Sequence, residues 1–192
     1  MLLAASALLD RSGAFGPRGD DWVGFDQKTF VVRHVIDGDT LEITTSDGRR
    51  ERVRLIGVDA PETNARNDQP SDYWSAEATG YAKARAEGKD VTLRLDGTQT
   101  RDKYGRLLAY AYLSDAESLN LALVRDGQAY ADRRFRHTLR SQFEQAEAAA
   151  RQKKSGLWRD VRDGDQPPWR RDWLERERRE RRERRSKAGA DP

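Results

Sequence analysis

Apolar and polar positions alternate along residues 28–55: "KTFVVRHVI" runs into "DTLEITTSDGRRERVRLIGV", with Leu41 and Ile43 on one face and Val53 and Leu55 on the return. A period of two, broken at Asp37-Gly38 and Asp47-Gly48, predicts a three-stranded meander that begins with strands 28–36 and 39–46 joined by a tight turn. Pro61 and the polar "NARNDQPSD" end it. The period then lengthens. Trp74, Ala78, Tyr81 and Ala82 stand at i, i+4, i+7 and i+8, which predicts an amphipathic helix over 73–87 stopped by Gly88. Two further strands follow in "DVTLRLDG" and "LLAYAYLS". Ser114 and Glu117 have the spacing of a capping box, so a helix is expected over 116–126 with Gly127 at its end. "QAYAD" reads as a short extended piece, and Leu139, Phe143, Ala146 and Ala150 predict a long helix over 136–154.

Three strands, a helix, two strands and two helices imply a mainly β chain with α, of the α+β class. The expectation is a five-stranded Greek-key barrel of the OB type with about three helices, an architecture that commonly binds oligonucleotides. That domain is expected over 28–158. Residues 10–27 read as a Gly/Asp-rich linker. Residues 1–9, "MLLAASALL", are too short to span a bilayer and lack a basic leader, so 1–27 reads as an N-terminal segment that is either frayed or the remnant of a signal or anchor. Tyr110, Tyr112 and Trp74 are expected in the core, and His34 and His137 exposed and uninvolved.

Charge separates the ends from the middle. Residues 159–192 hold 12 Lys and Arg against 9 Asp and Glu, a surplus equal to the whole net charge of +3. The basic character therefore belongs to the tail, where eleven consecutive charged residues, Glu175 to Arg185, repeat an E-R-R triplet. Two readings apply to the tail: disordered, or a solvated helix with Glu177–Arg181 and Glu180–Arg184 at i,i+4. Trp169 and Trp173 ahead of it, like the N-terminus, are candidate contacts for a membrane or a partner. With no cysteine and two histidines, disulfides and thiolate sites are excluded and any metal sits on oxygen.

The chemistry lies in charges that interrupt apolar strands: Asp37 and Asp39 in "VIDGDTLEI", Arg54, Asp59 and Glu62 in "VRLIGVDAPET", and Arg106 in "RDKYGRLLAY". So placed, they are costly unless paired or coordinating. Asp39 and Asp59, from neighbouring strands, suit a hard cation such as Ca2+ with carbonyls and waters completing the shell. Glu62 is then a carboxylate able to deprotonate a water, and Arg54 and Arg106 fork onto phosphoryl oxygens. Metal, base and paired guanidinium make a phosphodiester hydrolysis site.

In "IDGDT", "RLIGVDAPET" and "DKYGRLLAY", with "LNLALVRDG" and "KKSGLW" beyond, the chain resembles the staphylococcal nuclease (thermonuclease) homologues over about residues 28–158. The resemblance implies Ca2+-dependent endonucleolytic cleavage of DNA and RNA to 3′-phosphate products, with single-stranded nucleic acid favoured. Position by position it implies Asp39, Asp59 and the Ala60 carbonyl as calcium ligands, Asp37 and Thr40 as their neighbours, Glu62 as general base, and Arg54 and Arg106 on the phosphate. Lys103 and Tyr104 match groups near a terminal phosphate. Two departures stand out: Ala60 replaces a threonine, and the base-stacking aromatic is out of register in "YADRRFRH", leaving Phe135 or Tyr130. The loop 64–72 offers one basic residue, Arg66. A monomer is expected, and a weak two-carboxylate calcium site favours an extracytoplasmic location.

Overall fold

A computed structural model of the 192-residue chain describes residues 19–63, 70–97 and 99–188. Residues 1–9 and Arg66 lie outside the described residues. The chain divides into two compact units, Met1–Arg159 and Asp160–Pro192.

In the first unit the meander forms as β1 (Lys28–Val35), β2 (Thr40–Thr44) and β3 (Arg50–Leu55), antiparallel with Val32 opposite Ile43 and Leu41 opposite Val53. A short strand, β4 (Val58–Asp59), and helix α2 (Ser75–Ala86) follow; α1 precedes the meander and is described below. β5 (Asp90–Arg94) pairs with β1, and β6 (Leu107–Ser114) with β5. A parallel pairing of β3 with β6, Val53 opposite Leu107 and Leu55 opposite Ala109, closes the ring β1-β2-β3-β6-β5. It is a closed five-stranded barrel of the OB type. Alternation sends Val32, Leu41, Ile43, Val53, Leu55, Val91, Leu93, Leu107 and Ala109 into one buried core, and therefore sends Arg54 to the outer face between two of them.

The Asp37-Gly38 turn forms, with Ile36 N–H donating to Thr40 O at 2.9 Å. Its glycine serves close approach: a Cβ on Gly38 would stand 2.6 Å from that of Ala60 and 3.1 Å from that of Ala78. Gly48, by contrast, is needed for its left-handed φ of +79°.

Several elements depart from expectation. The Ser114–Glu117 spacing does not cap a helix. β6 runs to Ser114 and turns tightly into β7 (Glu117–Ser118), which pairs back on it. Ser118 is the N-cap of α3 (Leu119–Arg125), its Oγ accepting from Leu121 N–H at 3.1 Å. "QAYAD" supplies β8 (Tyr130–Ala131), paired with β4 so that Tyr130 faces Asp59. The long helix is α4 (Arg140–Gln152), shorter at both ends than expected.

Residues 19–27, expected as linker, carry helix α1 (Gly19–Phe25), whose Asp21 is buried. His137 is half-buried, its Nδ1 2.9 Å from Tyr110 Oη, against the expectation of an exposed and uninvolved ring. In the second unit α5 (Pro168–Ala188) is a continuous helix rather than irregular chain, and Glu177 pairs with Arg181 at 2.8 Å. No helix among the described residues is long and apolar enough to cross a membrane.

Candidate active site

The outward face of β3, the β1–β2 turn, the β4 segment and the turn before β6 meet at one rim of the barrel. Arg54 is its centre. Burying a guanidinium there requires partners for its donors, and the backbone supplies two: Nη1 donates to Leu55 O at 3.0 Å and to Val58 O at 2.8 Å. Nη2 lies 3.1 Å from Asp39 Oδ2 and 3.3 Å from Asp59 Oδ1, so carboxylates from two separate strands converge on a single nitrogen.

Asp39 is held from all sides. Oδ2 accepts from Ala60 N–H at 2.7 Å, and Oδ1 from Thr40 Oγ1 at 3.2 Å. Its own N–H donates to Asp37 Oδ1 at 3.0 Å, so Asp37 acts as a turn-forming side chain as well as a neighbouring charge. Burial, opposed by Arg54 and reinforced by Asp37 and Asp59, pushes the Asp39 carboxyl well above the usual range.

Glu62, past Pro61, is exposed. The protein on its inner side and the charges of Asp37 and Asp59 raise its pKa. Its backbone is held to Asp72, with Glu62 N–H on Asp72 Oδ2 at 3.1 Å and Asp72 N–H on Glu62 O at 3.0 Å.

Arg106 enters from the turn before β6. Its Nε donates to Asp102 Oδ2 at 2.7 Å, and Nη1 reaches Thr40 Oγ1 at 3.5 Å, which links it to the Asp39 group. Lys103 and Tyr104 stand exposed on the same turn, with the cations of Lys103 and Arg106 5.0 and 5.5 Å from the Tyr104 ring centre.

Two residues of the rim escaped the sequence reading. Arg134 forks onto Asp132, Nε to Oδ1 at 2.9 Å and Nη2 to Oδ2 at 2.9 Å, and reaches Asp59 Oδ1 at 2.7 Å. The available signal was "QAYAD": pairing it with the strand that carries Asp59 brings the next charges to that carboxylate. Phe135, exposed and 5.7 Å from the Arg134 guanidinium, joins the rim with it, whereas Tyr130 is buried.

The donor set for a metal is all oxygen. Asp37, Asp39, Asp59 and Glu62 lie about Arg54, and Asp39 and Glu62 are raised first by burial and then by neighbouring carboxylates, a pairing of causes that a hard divalent cation would offset. Among the described residues no three His, Asp or Glu side chains form a metal-holding group, so an ion here would have to rely on few carboxylates and on main-chain and water oxygens. Ala60, at the position of the implied carbonyl ligand, is tied to Asp39 by its amide.

The family model for Staphylococcal nuclease homologues matches residues 52–160. The thermonuclease of Staphylococcus intermedius is 40% identical over 134 residues, 68% of this chain and 76% of its own length. That of Staphylococcus hyicus is 36% identical over 134 residues, 69% and 77% of the two chains. An uncharacterized endonuclease of Escherichia coli O157:H7 is 38% identical over 141 residues, 72% and 80%. With its closed barrel, the carboxylate and arginine rim and these matches, the chain belongs to the staphylococcal nuclease homologue family.

Proposed function

We propose that this nuclease of the staphylococcal family hydrolyses phosphodiester bonds of DNA and RNA with the aid of Ca2+, leaving 3′-phosphate ends, and that it prefers single strands. The observation that carries the reading is the convergence of Asp39 and Asp59 on one nitrogen of Arg54, with Glu62 near enough to feel the charges of Asp37 and Asp59. Asp39, Asp59 and the Ala60 carbonyl hold the calcium ion, which supplies positive charge beside the phosphoryl oxygens. Asp37 and Thr40 orient Asp39. Glu62 accepts the proton of the attacking water, a task for which a raised carboxylate pKa is suited. Arg106 contacts a phosphoryl oxygen, and Arg54 exchanges its contact with Asp59 for another, so both guanidinium groups offset the charge that builds on phosphorus. Lys103, Tyr104 and Phe135 receive the flanking phosphate and base.

The protein acts as a monomer in an extracytoplasmic compartment, where abundant calcium suits a site with few carboxylates. The test is hydrolysis of a fluorescent single-stranded DNA in Ca2+, in Mg2+ and in EGTA, with the product ends assayed for phosphatase sensitivity. Cleavage lost in EGTA and 3′ ends that accept a polymerase only after phosphatase are expected; EGTA-resistant cleavage overturns the calcium assignment.

A further inference from the structure

Between Thr100 and Leu107 the chain makes a tight excursion that carries Lys103, Tyr104 and Arg106. Its closure is local: Asp102 N–H donates to Arg106 O and Gly105 N–H to Asp102 O, both at 3.0 Å. The Asp102 carboxylate takes the amides of Tyr104 and Arg106 as well as Arg106 Nε. Beside the main-chain tie of Leu108 N–H to Thr100 O at 2.8 Å and the bridge between Arg101 and Leu107, the excursion is attached to the barrel by the side chain of Arg101, whose five N–H donors are all engaged. Nη1 donates to Gly105 O at 2.8 Å and to Glu51 Oε1 at 2.9 Å. Nη2 donates to Glu51 Oε2 at 3.2 Å and to Asp21 Oδ1 at 2.8 Å, and Nε donates to Asp21 Oδ2 at 3.0 Å.

Asp21 lies in α1, outside the region matched by the family model. It is 4% exposed and also accepts from Thr100 Oγ1 at 2.7 Å. The helix is fastened in turn: Asp26 Oδ1 accepts from Leu95 N–H at 2.9 Å, and Gln27 N–H donates to Leu93 O at 2.8 Å. A chain of contacts thus runs from α1 through one guanidinium to the carbonyl adjoining Arg106.

We propose that Asp21 and Arg101 are positioning residues for Arg106, so that helix α1 completes the active site by fixing the substrate-facing turn from behind. The inference rests on the nuclease reading and on Arg106 as a phosphate contact. A lysine at 101 cannot reproduce a planar fork that joins two carboxylates and a carbonyl, and a neutral asparagine at 21 retains the shape but loses the charge. Displacement of the turn by a fraction of an ångström moves the guanidinium off the phosphoryl oxygen, which acts mainly on kcat.

The experiment measures kcat and KM of the full chain on fluorescent single-stranded DNA with Ca2+, well below the melting temperature of every variant. The variants are Asp21→Asn, Arg101→Lys, Arg106→Lys, and each of the first two combined with Arg106→Lys. Either single change at 21 or 101 is expected to lower kcat about tenfold, and to lower it less than about twofold further once Arg106 is already lysine. Asp21→Asn alone carries the comparison if Arg101→Lys does not fold. Equal factors in both backgrounds, or an unchanged kcat in Asp21→Asn, overturn the positioning role while leaving the nuclease reading intact. An unimpaired Arg106→Lys overturns the phosphate contact and this inference with it.

Discussion

Arg54 and Arg101 are each buried between two carboxylates, and the two clusters are almost matched in exposure: 13% for Arg54 and 14% for Arg101, 4% and 14% for Asp39 and Asp59, 5% and 20% for Asp21 and Glu51. What surrounds them differs. Arg101 consumes its whole donor set on two carboxylates and a carbonyl, so its hydrogen bonds close locally. Arg54 spends half its Nη donors on backbone oxygens, and its carboxylates are crowded by Asp37 and Glu62, for which no ion-pair partner occurs among the described residues. One cluster has a single guanidinium between two carboxylates, and the other, even with Arg134 on Asp59, gathers Asp37, Asp39, Asp59, Asp132 and Glu62 about two guanidinium groups and so carries the larger negative surplus. That imbalance, more than burial or ion pairing as such, separates a binding centre from a fastening.

The largest test of the contrast compares two glutamates. Glu62→Gln is expected to lower turnover by about 1000-fold with no loss of melting temperature, since Glu62 is exposed among like charges. Glu51→Gln should do the reverse: a lower melting temperature, from a buried guanidinium short of one partner, with turnover down about tenfold at most. Steady-state kinetics and thermal melts of the pair decide it, and similar profiles for the two would end the distinction.

The aspartates sharpen it next. Asp21→Asn is expected to cost about 3 kcal/mol, because Arg101 is left buried with one charged partner. Asp39→Asn removes a charge from a crowded group, so its cost should stay below about 1 kcal/mol while Ca2+ stabilisation of the fold disappears. Urea denaturation with and without Ca2+ measures both. Equal losses would mean that the active-site cluster is also a structural ion pair. A smaller effect is expected at Arg134, which brings a second guanidinium to Asp59. Arg134→Ala should tighten Ca2+ binding about three- to fivefold by calorimetry, as a partly exposed competing cation is removed; weaker binding would instead make Arg134 a support that orients the carboxylate.

Much of this was legible in the chain because charges inside strands are conspicuous. Asp39, Arg54 and Asp59 interrupt apolar alternation, and the meander that carries them follows from its period and turns. The fastening was not legible. Asp21 sits in a seven-residue helix that contains two glycines and is too short to display a helical period, and its partners, Thr100 and Arg101, lie 79 and 80 residues away. Ser114 and Glu117 misled for a related reason: capping spacing is local, and the pairing of β7 with β6 overrode it. Arg134 became visible only once β8 was placed beside β4.

A third polar cluster supplies the smallest effect and a control free of the nuclease chemistry. Tyr110 Oη donates to Asp96 Oδ2 at 2.8 Å, which commits its one hydrogen, so His137 Nδ1, 2.9 Å away, is the donor to the tyrosine oxygen. The ring's other edge lies against Gly57, where a Cβ would come within 2.7 Å of Nε2. Burial lowers the His137 pKa below its ordinary 6.5, with Asp96 opposing and Arg140 adding to the fall. A depressed pKa means that the unfolded chain binds the proton more readily. The contribution to stability is therefore present above pH 6.5 and is lost as pH falls through the folded value. Melting temperatures from pH 8 to 5 should drop more for the parent chain than for His137→Gln, and the gap should close at the acid end. Because His137 touches neither carboxylate pair, the Ca2+ shift measured at pH 8 should be the same in both chains; a changed shift would mean that the His137–Gly57 contact transmits to the Arg54 cluster through the carbonyls of Leu55 and Val58.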